Sequence, residues 1–261
     1  MTSKRRRRMN ELGRKGIYIL PNLFTTGNLF CGVFALLCVI DKHYVTAAMA
    51  IIVGAIFDLL DGKLARITKT TSQFGLEYDS LADVVSFVVV PGFLFYSWGL
   101  IGFGQLGLIA LFLYVACGAM RLARFNAHTP AVETGKFTGL PSPAAAGLIA
   151  TFVILDDYIL HFGKEIRPII ILGTAYTLAF LMVSTLPYRS FKNLRLKDQK
   201  PFSALVITVL ALLVIFVAPQ VTFFALTSLY VLSGVIEKPA TAIYHLVFKE
   251  KDRPAIAGDK K

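Results

Sequence analysis

Four aspartates stand out because each lies within or at the edge of a strongly apolar stretch. They are Asp58, Asp61, Asp79 and Asp83. The members of the first pair are three residues apart and those of the second pair are four apart, so in helices each pair shares one face. The loop between the pairs brings the adjoining helix ends together. The spacing therefore predicts four carboxylates that converge on one spot.

Clustered carboxylates of this kind point to metal chemistry. Four negative charges repel one another strongly in a site of low dielectric constant, and Lys63 and Arg66 cannot neutralise all of them. Hard divalent cations prefer all-oxygen sites, and Mg²⁺ keeps positions for water and substrate phosphates. Two such metals about 3.5–4 Å apart stabilise both the attacking and the leaving oxygen in a displacement at phosphorus. The simpler alternative is two solvated pairs of acids at helix ends.

The residues around the aspartates suit a phosphate ligand. Gly62 and Ala65 leave room for a ligand to approach the second helix, and Gly75 allows a sharp loop. The planar donor fork of Arg66 fits phosphate oxygens. The alternative for Arg66 is snorkelling to the membrane interface.

The first helix carries polar residues on its inward face. Asn22, Thr25 and Asn28 follow one another at spacings of three. They either line a ligand pocket beside the aspartates or form interhelical hydrogen bonds.

The composition indicates which elements hold these residues. Of the 261 residues, 56% are hydrophobic and 16% are charged, whereas a soluble domain has about 25% charged residues. A helix that crosses a bilayer needs about 20 apolar residues. Eight segments qualify, at about 17–40, 45–62, 80–100, 103–122, 143–162, 168–187, 203–218 and 220–236. We expect an all-α membrane bundle of about eight helices over residues 17–236, between charged tails at 1–16 and 237–261.

The basic residues indicate the orientation of the bundle. Of the 27 lysines and arginines, all but Lys42, Lys164 and Arg167 fall in the terminal segments or the loops after the second, fourth and sixth helices. This positive-inside pattern predicts an integral protein of the cytoplasmic (inner) membrane, with both termini and the aspartates on the cytoplasmic side. Anionic lipid headgroups account for the net charge of +11, so nucleic acid is not expected as a partner.

The stretch that contains the aspartates carries a family signature. It reads D-L-L-D-G-K-L-A-R, eight further residues, and G-L-E-Y-D-S-L-A-D. It resembles the pattern D-x-x-D-G-x-x-A-R-x8-G-x3-D-x3-D of the CDP-alcohol phosphotransferase family, and all eight specified positions match. The resemblance implies a membrane helix bundle with a polar cavity open to the cytoplasm, usually as a homodimer. It also implies transfer of a phosphatidyl-type group from a CDP-linked lipid to an alcohol, with release of CMP.

The same resemblance gives roles to individual residues. The four aspartates would hold two divalent metal ions, Mg²⁺ or Mn²⁺. Asp83 would also be the base that takes the proton of the incoming hydroxyl. Arg66 would hold the phosphates, and the cytidine nucleotide would be bordered by Gly62, Ala65 and Gly75. Asn22 and Thr25 of the first helix are further candidates to bind the nucleotide.

Three further segments bear on the acceptor alcohol. They read P-N-L-F-T-T-G-N at 21–28, M-R-L-A-R-F-N at 120–126 and F-T-G-L-P-S-P-A-A-A at 137–146. They resemble the bacterial and archaeal phosphatidylserine synthases of the family. This resemblance implies CDP-diacylglycerol as the donor and L-serine as the acceptor.

Residues in and near these segments suit a serine pocket. The carboxylate of serine needs a basic partner, and Arg121, Arg124 and Lys136 are candidates. Asn126 can bind either charged group of the amino acid. The alternative is that the three bases are positive-inside residues that contact lipid headgroups.

Three other functions also use clustered aspartates in membrane helices. A sibling transferase that uses glycerol 3-phosphate, inositol phosphate or choline shares the signature, although choline prefers an aromatic cage to arginines. A membrane prenyltransferase separates its aspartate motifs on distant helices, whereas here both lie within 26 residues. A divalent-cation transporter places its carboxylates near the bilayer midplane and not at helix ends.

Two acidic residues and a tryptophan near the non-cytoplasmic side are not expected to take part in catalysis. Asp156 and Asp157 are predicted to be solvated loop acids. Trp98 is predicted to be an interfacial anchor.

Overall fold

The computed structural model describes the main chain of residues 3–68, 72–127, 136–163, 165–189 and 201–249. Helices dominate these ranges. The α-helices are α1 Ser3–Ile40, α2 Tyr44–Thr68, α3 Gln73–Asp83, α4 Val90–Phe95, α5 Gln105–Ala127, α6 Ser142–Leu155, α7 Ile166–Val183, α8 Pro201–Val217 and α9 Pro219–Lys249. The two short strands are β1 Lys136–Thr138 and β2 Pro187–Arg189.

Seven helical stretches in the described ranges are long and apolar enough to cross a bilayer. They are Leu20–Ile40, Tyr44–Thr68, Gln73–Phe103, Gln105–Ala127, Ser142–Leu160, Ile166–Val183 and Pro219–Ile236. The other predicted segment, 203–218, forms most of the 17-residue helix α8. The all-α polytopic bundle expected from the sequence is confirmed.

The third spanning stretch begins well before its predicted start at residue 80. Helix α3 begins at Gln73, and Ser72 caps it because the Ser72 Oγ accepts a hydrogen bond from the main-chain N–H of Gly75 at 3.0 Å. Apolar content marks only the part of a helix inside the bilayer, so the polar first turns escaped the sequence pattern. These turns place Asp79 on a helix.

The same helical stretch widens into π-helical turns at Val84–Val89, immediately after Asp83. Pro91 follows them without an N–H to donate, and the carbonyl of Phe87 lies four residues before it. The hydroxyl of Tyr114 in α5 donates to that carbonyl at 3.4 Å. Such π-helical turns occur often at functional sites.

Helices α1 and α2 form a closely packed antiparallel hairpin. A side chain at Gly54 would meet Asn28, and a side chain at Gly27 would meet the ring of Phe57. Small residues at such positions allow helix backbones in a membrane to approach each other closely. This packing sets the polar face of α1 against the aspartates.

The two strands join the chain before α6 to the chain after α7. They are antiparallel, with Phe137 opposite Tyr188. Tyr188 is buried, and its hydroxyl donates to the carbonyl of Val231 in α9 at 3.1 Å. Desolvation, reinforced by the nearby Tyr230 hydroxyl, raises the pKa of Tyr188 to about 12. The hydroxyl therefore remains a donor at neutral pH, and it ties the strand pair to α9.

One acid at the end of the bundle opposite the aspartates departs from expectation. Asp156 is only 1% exposed, so its prediction as a solvated loop acid is wrong. Its carboxylate pairs with Arg167 at 2.9 Å and accepts a hydrogen bond from the main-chain N–H of Phe162 at 2.8 Å. Arg167 also lies 5.2 Å from the centre of the Trp98 ring. A π-helical turn buries Asp156 against the base of the next helix, whereas Asp157 is exposed as predicted.

Candidate active site

The last turns of α2 and the first turns of α3 bring the aspartates together. One carboxylate oxygen from each of Asp58, Asp61 and Asp79 lies within 4.8 Å of the others. Asp61 is buried, and the other two are half-buried. Asp83 lies one helical turn beyond Asp79 and interacts electrostatically with all three. The predicted convergence of the two pairs is therefore present in the structure.

Helix α1 supplies neutral hydrogen-bond donors to this cluster. The hydroxyl of Thr25 donates to Oδ2 of Asp61 at 2.9 Å. The amide of Asn28 donates to Oδ1 of Asp83 at 3.1 Å. Both donors are buried. This face of α1 therefore does form interhelical hydrogen bonds, and their acceptors are Asp61 and Asp83.

The cluster fits divalent cations. Oδ1 of Asp79 is buried and has no hydrogen-bond partner. No lysine or arginine among the described side chains lies within ion-pair distance of the four carboxylates. Carboxylates so close together are neutralised by protons or by cations, and an all-oxygen set suits Mg²⁺ or Mn²⁺.

A cavity of about 370 Å³ opens beside the aspartates. Its wall contains two aspartates and all six residues predicted to contact the nucleotide. The residues are Asp61, Asp79, Asn22, Thr25, Gly62, Ala65, Arg66 and Gly75, together with Pro21, Ser72, Leu76 and Phe125. The structure thus gathers residues of α1, α2, α3 and α5 around one space.

Two positions in the wall have a clear steric role. A Cβ atom added at Gly62 would meet nothing within 4 Å, so the cavity reaches the backbone of α2 at this point. A Cβ atom at Gly75 would lie 3.1 Å from Oγ of Ser72 and 3.2 Å from Oδ1 of Asn22. Arg66 is exposed, and its Nε donates to the carbonyl of Gly62 at 2.7 Å. This bond fixes the base of the guanidinium at the wall.

Of the four residues predicted to bind the substrate serine, Arg121 has the surroundings best suited to binding an anion. It is 7% exposed, and its Nη1 donates to Oγ of Ser142 at 3.2 Å. Its Nε is buried and has no hydrogen-bond partner. The guanidinium interacts electrostatically with Asp83 and with the hydroxyl of Tyr230. A buried arginine with an unused donor beside the aspartates can bind a small anionic group.

The other three residues predicted to bind the substrate serine have different surroundings. Arg124 donates to the carbonyls of Thr138 at 3.0 Å and Val183 at 3.1 Å, which favours a structural role between α5, β1 and α7. Asn126 is exposed and donates to Oγ of Ser80 at 2.9 Å. Lys136 belongs to β1, and its side chain lies outside the described residues. Arg124 and Asn126 are therefore held by other protein groups, and the prediction for Lys136 is not tested.

Two residues beside Arg121 were not predicted. Ser142 lies in the segment 137–146, and its proline-rich surroundings favoured a purely structural turn. Tyr230 lies far along the chain in an apolar helix and carries no pattern of its own. Both become visible only when α5, α6 and α9 are packed together.

Comparison with known proteins identifies the chain's family. Residues 18–233 match the profile of the CDP-alcohol phosphatidyltransferase family. The chain belongs to this family. The resemblance carried by the aspartate signature is therefore confirmed.

Several named relatives resemble this CDP-alcohol phosphatidyltransferase over most of their length. A CDP-diacylglycerol–serine O-phosphatidyltransferase of Helicobacter pylori is 36% identical over 220 residues, which cover 84% of this chain and 91% of the relative. An enzyme of the same name from Bacillus subtilis is 32% identical over 174 residues, or 67% of this chain and 92% of the relative. An archaetidylserine synthase of Methanothermobacter thermautotrophicus is 34% identical over 182 residues, or 69% of this chain and 73% of the relative.

Proposed function

We propose that this protein transfers the phosphatidyl group of CDP-diacylglycerol to the hydroxyl of L-serine, giving phosphatidylserine and CMP. The observation that carries the proposal is the 370 Å³ cavity, where aspartates of α2 and α3 meet the small residues and the arginine of the signature. Relatives named for serine, which match between 67% and 84% of the chain, support the choice of acceptor.

The cavity is the proposed site of the cytidine diphosphate group. Its volume of about 370 Å³ lies within the range of about 300–1,000 Å³ that small-molecule pockets occupy. The open space beside Gly62 lets a ligand approach the backbone. Arg66 is placed to bind phosphate oxygens with its planar donors, and Asn22 and Thr25 face the nucleotide from α1. The acyl chains of the donor remain in the bilayer.

Two divalent cations, Mg²⁺ or Mn²⁺, complete the proposed site. Their ligands would be Asp58, Asp61, Asp79 and Asp83. When bound, such ions neutralise the charge that develops on the diphosphate during displacement. The protein holds the carboxylates together against their mutual repulsion, and two hydrogen bonds from α1 fix their orientation.

Asp83 is the proposed general base. Its Oδ1 accepts the Asn28 amide, which leaves Oδ2 to accept the proton of the serine hydroxyl. The serine oxygen then forms a bond to the phosphorus that carries diacylglycerol. The bond from this phosphorus to the bridging oxygen breaks, and CMP leaves with the electron pair.

Arg121 is proposed to bind the carboxylate of serine. Its unused Nε and its burial favour a charge-assisted hydrogen bond to a small anion. Its electrostatic interaction with Asp83 indicates that the base and the acceptor site are close. The contacts of Arg124 with main-chain carbonyls leave it outside this proposed pocket. Asn126 and Lys136 remain predictions.

We further propose that the aspartate end of the bundle faces the cytoplasm, with both termini, in the inner membrane. The concentration of basic residues in the terminal segments and the loops at this end supports the orientation. Serine and CMP are water-soluble, so a site at this end can exchange both without transport. The family resemblance also implies a homodimer, which chemical crosslinking in membranes would test.

The test is CMP release by the purified protein with CDP-diacylglycerol and Mg²⁺. Serine, glycerol 3-phosphate, inositol phosphate and choline are offered separately. The proposal predicts release stimulated by serine alone, with phosphatidylserine in the lipid extract. The variant Asp83→Asn should lose almost all turnover, while the control Asp157→Asn retains it. Stimulation by another alcohol would retain the aspartate chemistry and reject serine, and no release with any acceptor would favour cation transport.

A further inference from the structure

The proposed reaction gives no role to Asn28, although this polar side chain is fully buried beside the aspartates. It is 0% exposed and does not line the cavity, so it has no direct contact with a substrate there. Its amide nitrogen donates to Oδ1 of Asp83 at 3.1 Å. Its amide oxygen is buried without a partner. A buried polar group with half its hydrogen-bonding capacity unused is costly, and an apolar side chain would fill the same space.

The main chain around Asn28 is fixed from two other helical segments. Oγ of Ser86, in the π-helical turns after Asp83, donates to the carbonyl of Asn28 at 3.0 Å. A Cβ atom at Gly54 of α2 would lie 3.1 Å from the amide oxygen of Asn28, which is tighter than ordinary contact. A side chain at Gly32 would overlap Ser86. The amide is therefore held in one position relative to Asp83.

The π-helical turns explain how Ser86 reaches α1. They begin directly after Asp83, and a wider turn changes the direction in which the following side chains point. The carboxylate of Asp83 and the hydroxyl of Ser86 consequently both meet Asn28, at its side chain and at its carbonyl. These two bonds lock the base to α1 at the point where α3 changes its helical geometry.

We propose that Asn28 is a positioning residue for Asp83, an inference that rests on the proposed function. The amide holds one carboxylate oxygen of Asp83 and so directs the other oxygen toward the acceptor hydroxyl. An asparagine donates to a carboxylate without forming an ion pair, so the charge of the base is retained. Loss of the amide leaves Asp58, Asp61, Asp79 and the nucleotide cavity unchanged and allows the Asp83 carboxylate to rotate away from the acceptor.

The test separates turnover from binding. Asn28→Leu removes the donor at nearly constant volume, and Gly54→Ala pushes on the same amide from α2 without changing Asn28. Misplacement of a reacting group by about 1 Å costs about 100-fold in rate. We expect kcat for serine-dependent CMP release to fall by about 10–100-fold in Asn28→Leu and less in Gly54→Ala. The KM values for CDP-diacylglycerol and serine should change by less than about threefold, because neither substrate touches Asn28.

Thr151→Val provides the matched control. Thr151 is also buried in a helix, and it forms an interhelical hydrogen bond with Thr227 at 3.0 Å, away from the cavity. This variant should keep its kcat even if its thermal midpoint falls. The inference is overturned if both site variants keep the wild-type kcat, or if their activity falls only in proportion to thermal stability, as in the control. A wild type that releases no CMP with serine would reject the proposed acceptor. The same comparison is then made with the alcohol that does support release.

Discussion

The ion pair between buried Asp156 and half-buried Arg167 allows packing to be tested apart from chemistry, because it lies at the end of the bundle opposite the aspartate cluster. Two substitutions each remove the charge of one partner. Arg167→Met removes the charge and retains an apolar chain over Trp98. Asp156→Asn removes the negative charge and keeps an oxygen that accepts the hydrogen bond from Phe162. The two variants should not be equivalent.

The magnitudes follow from the exposure of the two partners. Breaking a buried ion pair by removing one partner costs about 3–5 kcal/mol. The side chain of Asp156 is 1% exposed, whereas that of Arg167 is 29% exposed. Water can therefore solvate the arginine that Asp156→Asn leaves behind, but not the carboxylate that Arg167→Met leaves behind. We expect about 3–4 kcal/mol for Arg167→Met and about 1–2 kcal/mol for Asp156→Asn.

The assay is thermal unfolding of the purified protein in detergent. A change of 1 kcal/mol shifts the midpoint of a chain of this size by about 2–4 °C. Arg167→Met should therefore lower it by about 6–15 °C, and Asp156→Asn by distinctly less. The exposed neighbour variant Asp157→Asn should leave it unchanged. A larger shift for Asp156→Asn than for Arg167→Met, or no shift for either, would refute the argument from exposure.

Three further predictions concern the site. Gly62→Leu fills the open space in the cavity, so the KM for CDP-diacylglycerol should rise by about tenfold or more without loss of thermal stability. Gly102→Leu, at an equally open position, should leave KM unchanged, and similar kinetics for both variants would place the nucleotide elsewhere. Arg121→Met should raise the KM for serine by about 10–100-fold in steady-state CMP release; a rise confined to CDP-diacylglycerol would move Arg121 to the donor. EDTA should abolish CMP release and lower the thermal midpoint, and added Mg²⁺ or Mn²⁺ should restore both. The variant Asp79→Asn should need a higher metal concentration for the same recovery. Full activity in EDTA would contradict the metal assignment.

The geometry of the aspartate cluster could be predicted because it depends on local structure. Spacings of three and four fix which residues share a helix face, and a short loop fixes which helix ends meet. The cavity wall follows for the same reason, since Gly62, Ala65, Arg66 and Gly75 all belong to these two ends. Asn22 and Thr25 were found through the spacing of polar residues on α1. Helix periodicity therefore placed Asn22 and Thr25 on one face, whereas the family resemblance gave the nucleotide roles to Gly62, Ala65, Arg66 and Gly75.

Pairing between distant elements could not be predicted. A charged residue in a sequence does not reveal whether its partner is water, a carbonyl or another charge, because tertiary packing decides this. Arg124 donates to main-chain carbonyls of β1 and α7, although it was predicted, like Arg121, to bind the carboxylate of serine. Asp156 is buried because α7 returns Arg167 to it. The same limit applies to Tyr230, which only the packing of α9 brings to Arg121.

The hydrogen-bond donors that contact the aspartate cluster from α1 are neutral side chains. Thr25 and Asn28 hold carboxylate oxygens by neutral hydrogen bonds. A lysine or arginine in their place would form ion pairs with the aspartates, and the cluster would lose the charge with which it attracts cations. Among the described side chains, Arg66 lies at the cavity wall and Arg121 beside Ser142, and neither forms an ion pair with the aspartates. Under the proposed function, this arrangement would let one small site bind cations, a diphosphate and an amino acid carboxylate together.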